Sequence, residues 1–405
     1  MNIWFISDVY FPDEAGTAFY MTKLAEHFAK THRVRVLTGK PKYNARGIPV
    51  PRVECRNGVD IIRCLDSTLD KNKFILRLIN VFVSSSSILI RAIEYIKKDD
   101  VVLVVTNPPL LPFFIGIVCK FHKARFLLKV DDVYPEAFVA TGMFKSGSFF
   151  DSFLAAANRM LYKKADLIFV LGRDMARLAR GKAGSHSQRI NIVPNWSDSD
   201  CILPNPKKNN TLLIELGLTD KFIVQCAGNM GRAQAIETIF SAAERLLFKT
   251  NIHFLFIGSG QKIRWMENRR KAGELINVTL LEQRSRNDQQ SFLNACDISI
   301  ATLLPGMTGA GVPSRIYNVM AAGKPIISVA EADSEMSLVV AEENIGWVVS
   351  PSNPDQLAKT ILEASSNLSM LEKMGMKARQ ISKTKYSINT ILEKYDRVME
   401  TIMNS

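Results

Sequence analysis

The chain of 405 residues is poor in the groups that build metal sites and disulfide frameworks. It has five histidines (His27, His32, His122, His186, His253) and six scattered cysteines (Cys55, Cys64, Cys119, Cys201, Cys226, Cys296), with no CxxC pair. That excludes a zinc ribbon or a stapled secreted scaffold and fits a reducing compartment. No internal repeat or low-complexity tract is visible, which excludes solenoids and disordered scaffolds. No uninterrupted apolar run reaches the roughly 20 residues of a spanning helix. Residues 101–118 are broken by Asn107-Pro108-Pro109, and 74–93 carries Arg77, Asn80, four serines and Arg91. The opening residues MNIWFISDVYFP lack a basic leader and reach Asp8 too soon for a signal peptide. A soluble protein is expected. There is no GxGxxG fingerprint and no Walker loop, so a dehydrogenase or P-loop nucleotidase is not expected. Asp198-Ser199-Asp200 lies in a junction and not at a strand end, so no metal site is read.

What is present is apolar residue and positive charge. Hydrophobic residues make up 47% of the chain, enough for sizeable cores, and the length suggests two of them. The net charge of +13 is unevenly placed: residues 1–200 hold 29 Lys/Arg against 19 Asp/Glu, and residues 201–405 hold 23 against 20. An electropositive first half suits an anionic partner: phosphates, nucleic acid or an acidic membrane face. No nucleic-acid module is recognisable, so nucleic acid is not expected as a partner.

Apolar runs at 2–7, 34–38, 101–105, 126–130, 166–171 and 190–194 alternate with helical patterns, beginning with Ala18, Met21, Leu24, Ala25 and Phe28. The pattern restarts with runs at 222–228, 253–258, 277–281, 297–302, 325–329 and 346–350, with helices expected at 235–248, 261–272, 288–295, 314–322 and 354–365. Strands alternating with helices imply parallel sheets covered on both faces. The expected division is a first α/β domain over 1–200 and a second over 201–386. A last amphipathic helix, 387–405, is expected to return to the first.

In open parallel sheets ligands bind beyond the carboxyl ends of the strands. Two glycine-bearing loops stand out there. Gly228-Asn229-Met230-Gly231-Arg232-Ala233-Gln234 runs straight into a helix, and Pro305-Gly306-Met307-Thr308-Gly309-Ala310-Gly311-Val312-Pro313-Ser314-Arg315 precedes another, with Ser314 as the expected N-cap. Glycines let backbone amides approach an anion, and an arginine adds charge-assisted bonds. Arg232 and Arg315 are therefore expected to hold a diphosphate leaving group without a metal.

The chain resembles retaining glycosyltransferases of family 4, especially those building bacterial O-antigen and capsule repeats. The resemblance covers nearly the whole chain. It rests on Phe11-Pro12 to Gly16-Thr17, Asp132-Val-Tyr-Pro-Glu136, Val193-Pro194-Asn195, the loop 228–234, and Val312-Pro-Ser-Arg315 through Met320-Ala-Ala-Gly323-Lys324-Pro325. It implies a GT-B fold, two Rossmann-like domains facing across a cleft, and no cofactor. It implies transfer with retention from a UDP-sugar to an undecaprenyl-diphosphate-linked acceptor. The closest look-alikes add N-acetylated 6-deoxyhexosamines such as N-acetylfucosamine. Asp132, Glu136, Arg232 and Arg315 are implied for the chemistry. Gly16, Thr17, Asn229, Gly231, Gln234, Gly258, Gly260, Gly309, Ala310, Gly311, Val312, Ser314 and Asn318 are implied for the donor. The chain departs from the family at Ala310 and Asn318, where two glutamates usually stand, and at Gln234, where a lysine often does. No histidine sits at a strand end; Asp131, Asp132 and Glu136 occupy that region instead. The missing glutamate pair keeps two rivals open: an inactive nucleotide-sugar-binding scaffold, and a sugar-nucleotide epimerase of similar architecture.

Two segments join apolar and basic residues. Lys71–Lys98 has Phe74, Leu78, Ile79, Phe82, Leu89 and Ile93 among Lys71, Lys73, Arg77, Arg91, Lys97 and Lys98, and Met143–Lys164 has Phe144, Phe149, Phe150, Phe153, Leu154 and Leu161 beside Lys163-Lys164. Such faces suit anionic lipid. The expected location is cytoplasmic, peripheral on the inner face of a bacterial plasma membrane.

Overall fold

The first apolar run becomes strand β1 (Ile3–Ser7), buried at every position. A computed structural model describes all residues except Ala15, Asn44, 67–73 and 404–405, and only the backbone of 74–78. Lys71 and Lys73, and the side chains of Phe74, Arg77 and Leu78, therefore lie outside the described residues. The chain divides into two units. One contains residues 1–135, 147–193 and 392–405, and the other contains 136–146 and 194–391.

The first unit is built on an eight-stranded sheet. Its strands are β1, β2 (Val34–Thr38), β3 (Val53–Arg56), β4 (Val59–Arg63), β5 (Val101–Val105), β6 (Arg125–Lys129), β7 (Leu167–Val170) and β8 (Ile190–Ile192). Their order is β3-β4-β2-β1-β5-β6-β7-β8, parallel throughout except for the edge pair β3/β4. The chain leaves β1 toward β2 on one side and pairs it with β5 on the other, so the topological switch point lies between β1 and β5. The last helix, Ile388–Met403, contributes to this unit from Leu392 onward. Tyr395 is buried with its ring centroid 5.0 Å from that of Phe169, and His27 Nε2 meets Asp396 at 2.8 Å.

The second unit holds six parallel strands: β9 (Phe222–Asn229), β10 (Ile252–Ser259), β11 (Val278–Leu281), β12 (Ile298–Thr302), β13 (Ile326–Val329) and β14 (Gly346–Val349). Their order is β11-β10-β9-β12-β13-β14, which puts the switch point between β9 and β12. Buried Phe240 packs on Phe256 with centroids 5.0 Å apart, in a core with Ile236, Ile239, Phe254 and Ile300. Each such side chain contributes about 1.5–3 kcal/mol when fully withdrawn from water. His253 lies inside β10, bonded to Thr279 Oγ1 at 2.8 Å, and burial pulls its pKa down to about 4. It is a neutral packing residue at pH 7.

No helix among the described residues is long and apolar enough to cross a membrane. All six cysteines are free.

Candidate active site

The two glycine-rich loops of the second unit leave β9 and β12, the strands that flank its switch point. Gly228 and Gly258 are paired across β9 and β10, and a side chain at Gly258 would collide with the Gly228 carbonyl. Gly260 has φ +147° and sits so close to Met230 that a Cβ would lie 2.5 Å from its backbone. Glycine at these points lets the turn 258–261 nest under the loop 228–231. Met230 N donates to Ser259 O at 2.8 Å, and Lys262 N donates to Met230 O at 3.0 Å.

Arg315 reaches from the β12 loop to the end of β9. Its guanidinium lies against Gly228, where a Cβ would stand 3.1 Å from Arg315 Cζ. It donates to Asn229 O at 2.9 Å and toward the buried Cys226 sulfur at 3.7 Å. Burial pushes the Cys226 thiol up, against the opposing charge of Arg315. The remaining guanidinium N–H groups stay available for an anion, since five are present. Arg232 is exposed at the first loop and donates from Nε to Gln261 Oε1 at 2.7 Å. Two further bonds tie the loops together: Leu304 N donates to Ala233 O at 2.8 Å, and Ala235 N donates to Thr302 Oγ1 at 3.2 Å. The structure thus gathers Asn229, Gly231, Arg232, Gln234, Gly258, Gly260 and Arg315 at one end of one sheet. Gln234 is buried, and its Oε1 finds no donor among the described residues.

At the second loop one expectation, the Ser314 cap, is corrected. Ser314 has helical backbone angles (φ −69°, ψ −15°), and its hydroxyl makes no capping bond, because an N-cap oxygen needs an extended backbone to turn toward the helix. Ala310 is fully buried and its N–H donates to Met307 O at 2.9 Å. Asn318 is buried and its Oδ1 accepts from Asp198 N at 3.1 Å. Gly309 (φ +75°) shapes the turn, followed by Gly311 and half-buried Val312.

Three supporting residues escaped the sequence reading. Lys262 Nζ donates to Gln234 O at 2.6 Å and to Glu237 Oε2 at 2.7 Å, bracing the first loop. Its signal is a lone cation after Gly258-Ser-Gly260-Gln261. Glu331 accepts from Gly306 N at 3.2 Å and Thr308 Oγ1 at 2.6 Å, fixing the second loop. It is an acid just past the end of β13. The third is Lys129, in the first unit.

There the acids follow β6. Lys129 is buried and its ammonium contacts Asp131 Oδ1, while Thr17 Oγ1 donates to Asp131 Oδ2 at 2.9 Å. Gly16 opens the helix that carries Thr17. Asp131 is thus held as a paired carboxylate. Asp132 is anchored by its backbone, its N donating to Thr106 Oγ1 at 3.2 Å and its carbonyl accepting from that hydroxyl at 3.0 Å. Burial, then the neighbouring Asp131 charge, push the Asp132 carboxyl up to about 7, against Lys129 and a bond from Tyr134. A carboxyl that titrates near neutrality is suited to acid–base chemistry. Glu136 begins the helix Glu136–Ala140, in the segment that groups with the second unit, where Ala140 lies beside Gly306. Among the described residues no three His, Cys, Asp or Glu groups converge as a metal site.

Two α/β units built on mainly parallel sheets, together with their structural neighbours, fit a GT-B fold. HepE of Anabaena, described in complex with UDP and glucose, superposes with a TM-score of 0.76 over 99% of this chain and 100% of its own, at 14% identity. The family model for group 1 glycosyl transferases matches residues 212–381, and the glycosyl transferase 4-like domain matches residues 15–196. Among curated relatives, the probable glycosyltransferase WbjE of Pseudomonas aeruginosa is 30% identical over 83% of both chains. WcaI of Escherichia coli K12, a putative colanic acid biosynthesis glycosyl transferase, is 24% identical over 95% of this chain and 96% of its own. The chain belongs with WbjE to the glycosyltransferases, its first half carrying the glycosyl transferase 4-like domain and its second the group 1 domain.

Proposed function

We propose that this enzyme transfers a sugar, with retention, from a UDP-sugar to a lipid-linked acceptor in the synthesis of a bacterial surface glycan such as O-antigen or capsule. The observation that carries the reading is Arg315 lying against Gly228, at the junction of two glycine-rich strand-end loops. That is a place for a diphosphate, and Arg232 stands on the same loop pair. The UDP and glucose held by HepE and the colanic acid role attached to WcaI support the donor and pathway classes. In this reading Arg232 and Arg315 stabilise the charge that develops on the leaving diphosphate. Gly258 and Gly260 keep the turn beneath it close, while Gly309, Gly311, Val312 and Ser314 shape the neighbouring wall. Asp132 is the carboxylate that holds a sugar hydroxyl or receives the acceptor proton. The transferred sugar is of the N-acetylated 6-deoxyhexosamine type, and the enzyme works at the cytoplasmic face of the membrane.

The test is release of UDP from a panel of UDP-sugars, with and without a polyprenyl-diphosphate-linked saccharide. Turnover that requires the acceptor supports transfer. Acceptor-independent change of the donor would make the protein an epimerase, and binding without turnover a scaffold. Because two arginines serve the diphosphate, EDTA is expected to leave the rate essentially unchanged. Loss of activity in EDTA, restored by magnesium or manganese, would refute the arginine-only account.

A further inference from the structure

A cavity lies in the first unit, away from the strand-end loops. Helix Leu111–His122 packs between helix Phe74–Tyr95 and helix Phe149–Lys164. Between the last two helices of this row is a cavity of about 460 Å³, walled by Phe113, Ile117, Phe121, Met160 and, from β6, Phe126. Its size falls in the ~300–1,000 Å³ range of ligand pockets. Gly116 lines it as well, and a side chain there would press on the Phe126 ring, 3.3 Å from its Cβ, and extend into the slot. Lys120 and Lys164, both exposed, line it from opposite helices.

The surroundings say what kind of molecule enters. Phe121 is 82% exposed, Phe149 77% and Phe82 62%, one on each of the three helices. On the last helix exposed Phe149 makes ring contacts with Phe150 and Phe153, and a large exposed apolar patch marks an interaction site. The charge beside it is positive. Helix Leu111–His122 and Lys123 after it contain no acid, and helix Phe149–Lys164 sets Arg159, Lys163 and Lys164 against Asp151 alone. An apolar slot with cations at its rim is complementary to a hydrocarbon chain that ends in a phosphate. Phe126 precedes Asp131 by five residues, roughly 17 Å along an extended strand, so an occupant here is remote from the acids.

We propose that this slot takes up one acyl chain of an anionic phospholipid, with the lipid phosphate at Lys120 and Lys164, as an anchor separate from the reacting acceptor. The proposal rests on the reading that the enzyme works at a membrane surface. The experiment uses the whole protein with phosphatidylethanolamine vesicles containing phosphatidylglycerol, a trace of which carries a diazirine on its acyl chain. Sedimentation at low salt reads membrane binding. Peptide mapping after irradiation reads the slot. Label is expected on Phe113, Ile117 and Met160. Gly116→Leu, folded as judged by thermal unfolding, is expected to cut that label by about tenfold. Its sedimentation should change by less than about twofold, because the exposed aromatics and lysines remain. Sedimentation with label confined to Phe82 and Phe149, outside the slot, would overturn the slot and leave the membrane reading standing. Failure to sediment at low salt would overturn the membrane reading itself. Displacement of the label by a polyprenyl phosphate would assign the slot to the acceptor's tail instead.

Discussion

Arg315→Ala is expected to weaken UDP binding by about 10- to 150-fold, the loss of a charge-assisted contact of ~1.5–3 kcal/mol. The guanidinium is placed by two independent features: the bond to Asn229 O at 2.9 Å and the bare backbone of Gly228 beneath it. Gly228→Ala should therefore reproduce much of the loss without touching the arginine. A methyl there would meet Arg315 Cζ at 3.1 Å, on a backbone with φ +127° that disfavours any side chain. Arg315→Lys keeps the charge but not the planar fork, and should fall between alanine and wild type. Arg232→Ala is expected in the same range as Arg315→Ala, because among the described residues its guanidinium is held by the exposed Gln261, a neutral partner that leaves its charge able to turn toward phosphate. Calorimetric titration with UDP measures all four. Wild-type affinity in Arg315→Ala and Arg232→Ala, with unchanged unfolding temperatures, would remove the diphosphate role.

The strands of both sheets were readable because buried parallel strands are continuous apolar runs, as in Ile3–Ser7 and Val101–Val105, whose residues are all buried. The edge hairpin β3/β4 was missed. Its strands, VECR and VDIIR, mix charge with apolar residues because an edge pair is only partly buried. Yet its turn was legible: Asn57 and Gly58 have φ +48° and +80°, the positive values that an Asn-Gly two-residue hairpin demands. At the site, the glycine loops declared themselves by composition and position. What they contact did not. That Arg315 would lie on Gly228, or that Ala310 would spend its amide on Met307, follows from how a loop after β12 folds back over β9, which residue spacing does not encode. Lys129 was hidden for a different reason. A lysine inside the apolar run FLLKV reads as a strand residue with its head in water, whereas it is buried and neutralises Asp131.

Asp132, beside that pair, is an acid whose ionisation falls near neutral pH. Its carboxyl titrates at about 7, so a rate that needs the carboxylate should fall as pH drops through 7 and level off above it. Asp132→Asn is expected to lower the turnover number by about 10²–10⁴-fold and to abolish that inflection. Stability should move the other way. The folded pKa lies above the ordinary value of 3.8, so between those limits the native state binds the extra proton, and stability declines as pH rises from about 4 to 7. Removing the charge should therefore stabilise the fold by roughly 2–4 kcal/mol at pH 8, shrinking to under about 1 kcal/mol near pH 4. Urea unfolding at the two pH values measures the stability, and initial rates from pH 5.5 to 9 measure the activity. A variant that loses activity because it is unfolded would fail the first measurement. One that keeps wild-type rates and the wild-type pH profile would show that Asp132 is a structural charge, half-buried at a cost for some reason other than catalysis. The combination expected here, a slower enzyme that is harder to unfold, is the sign of a carboxylate held against its own solvation where the reaction requires it.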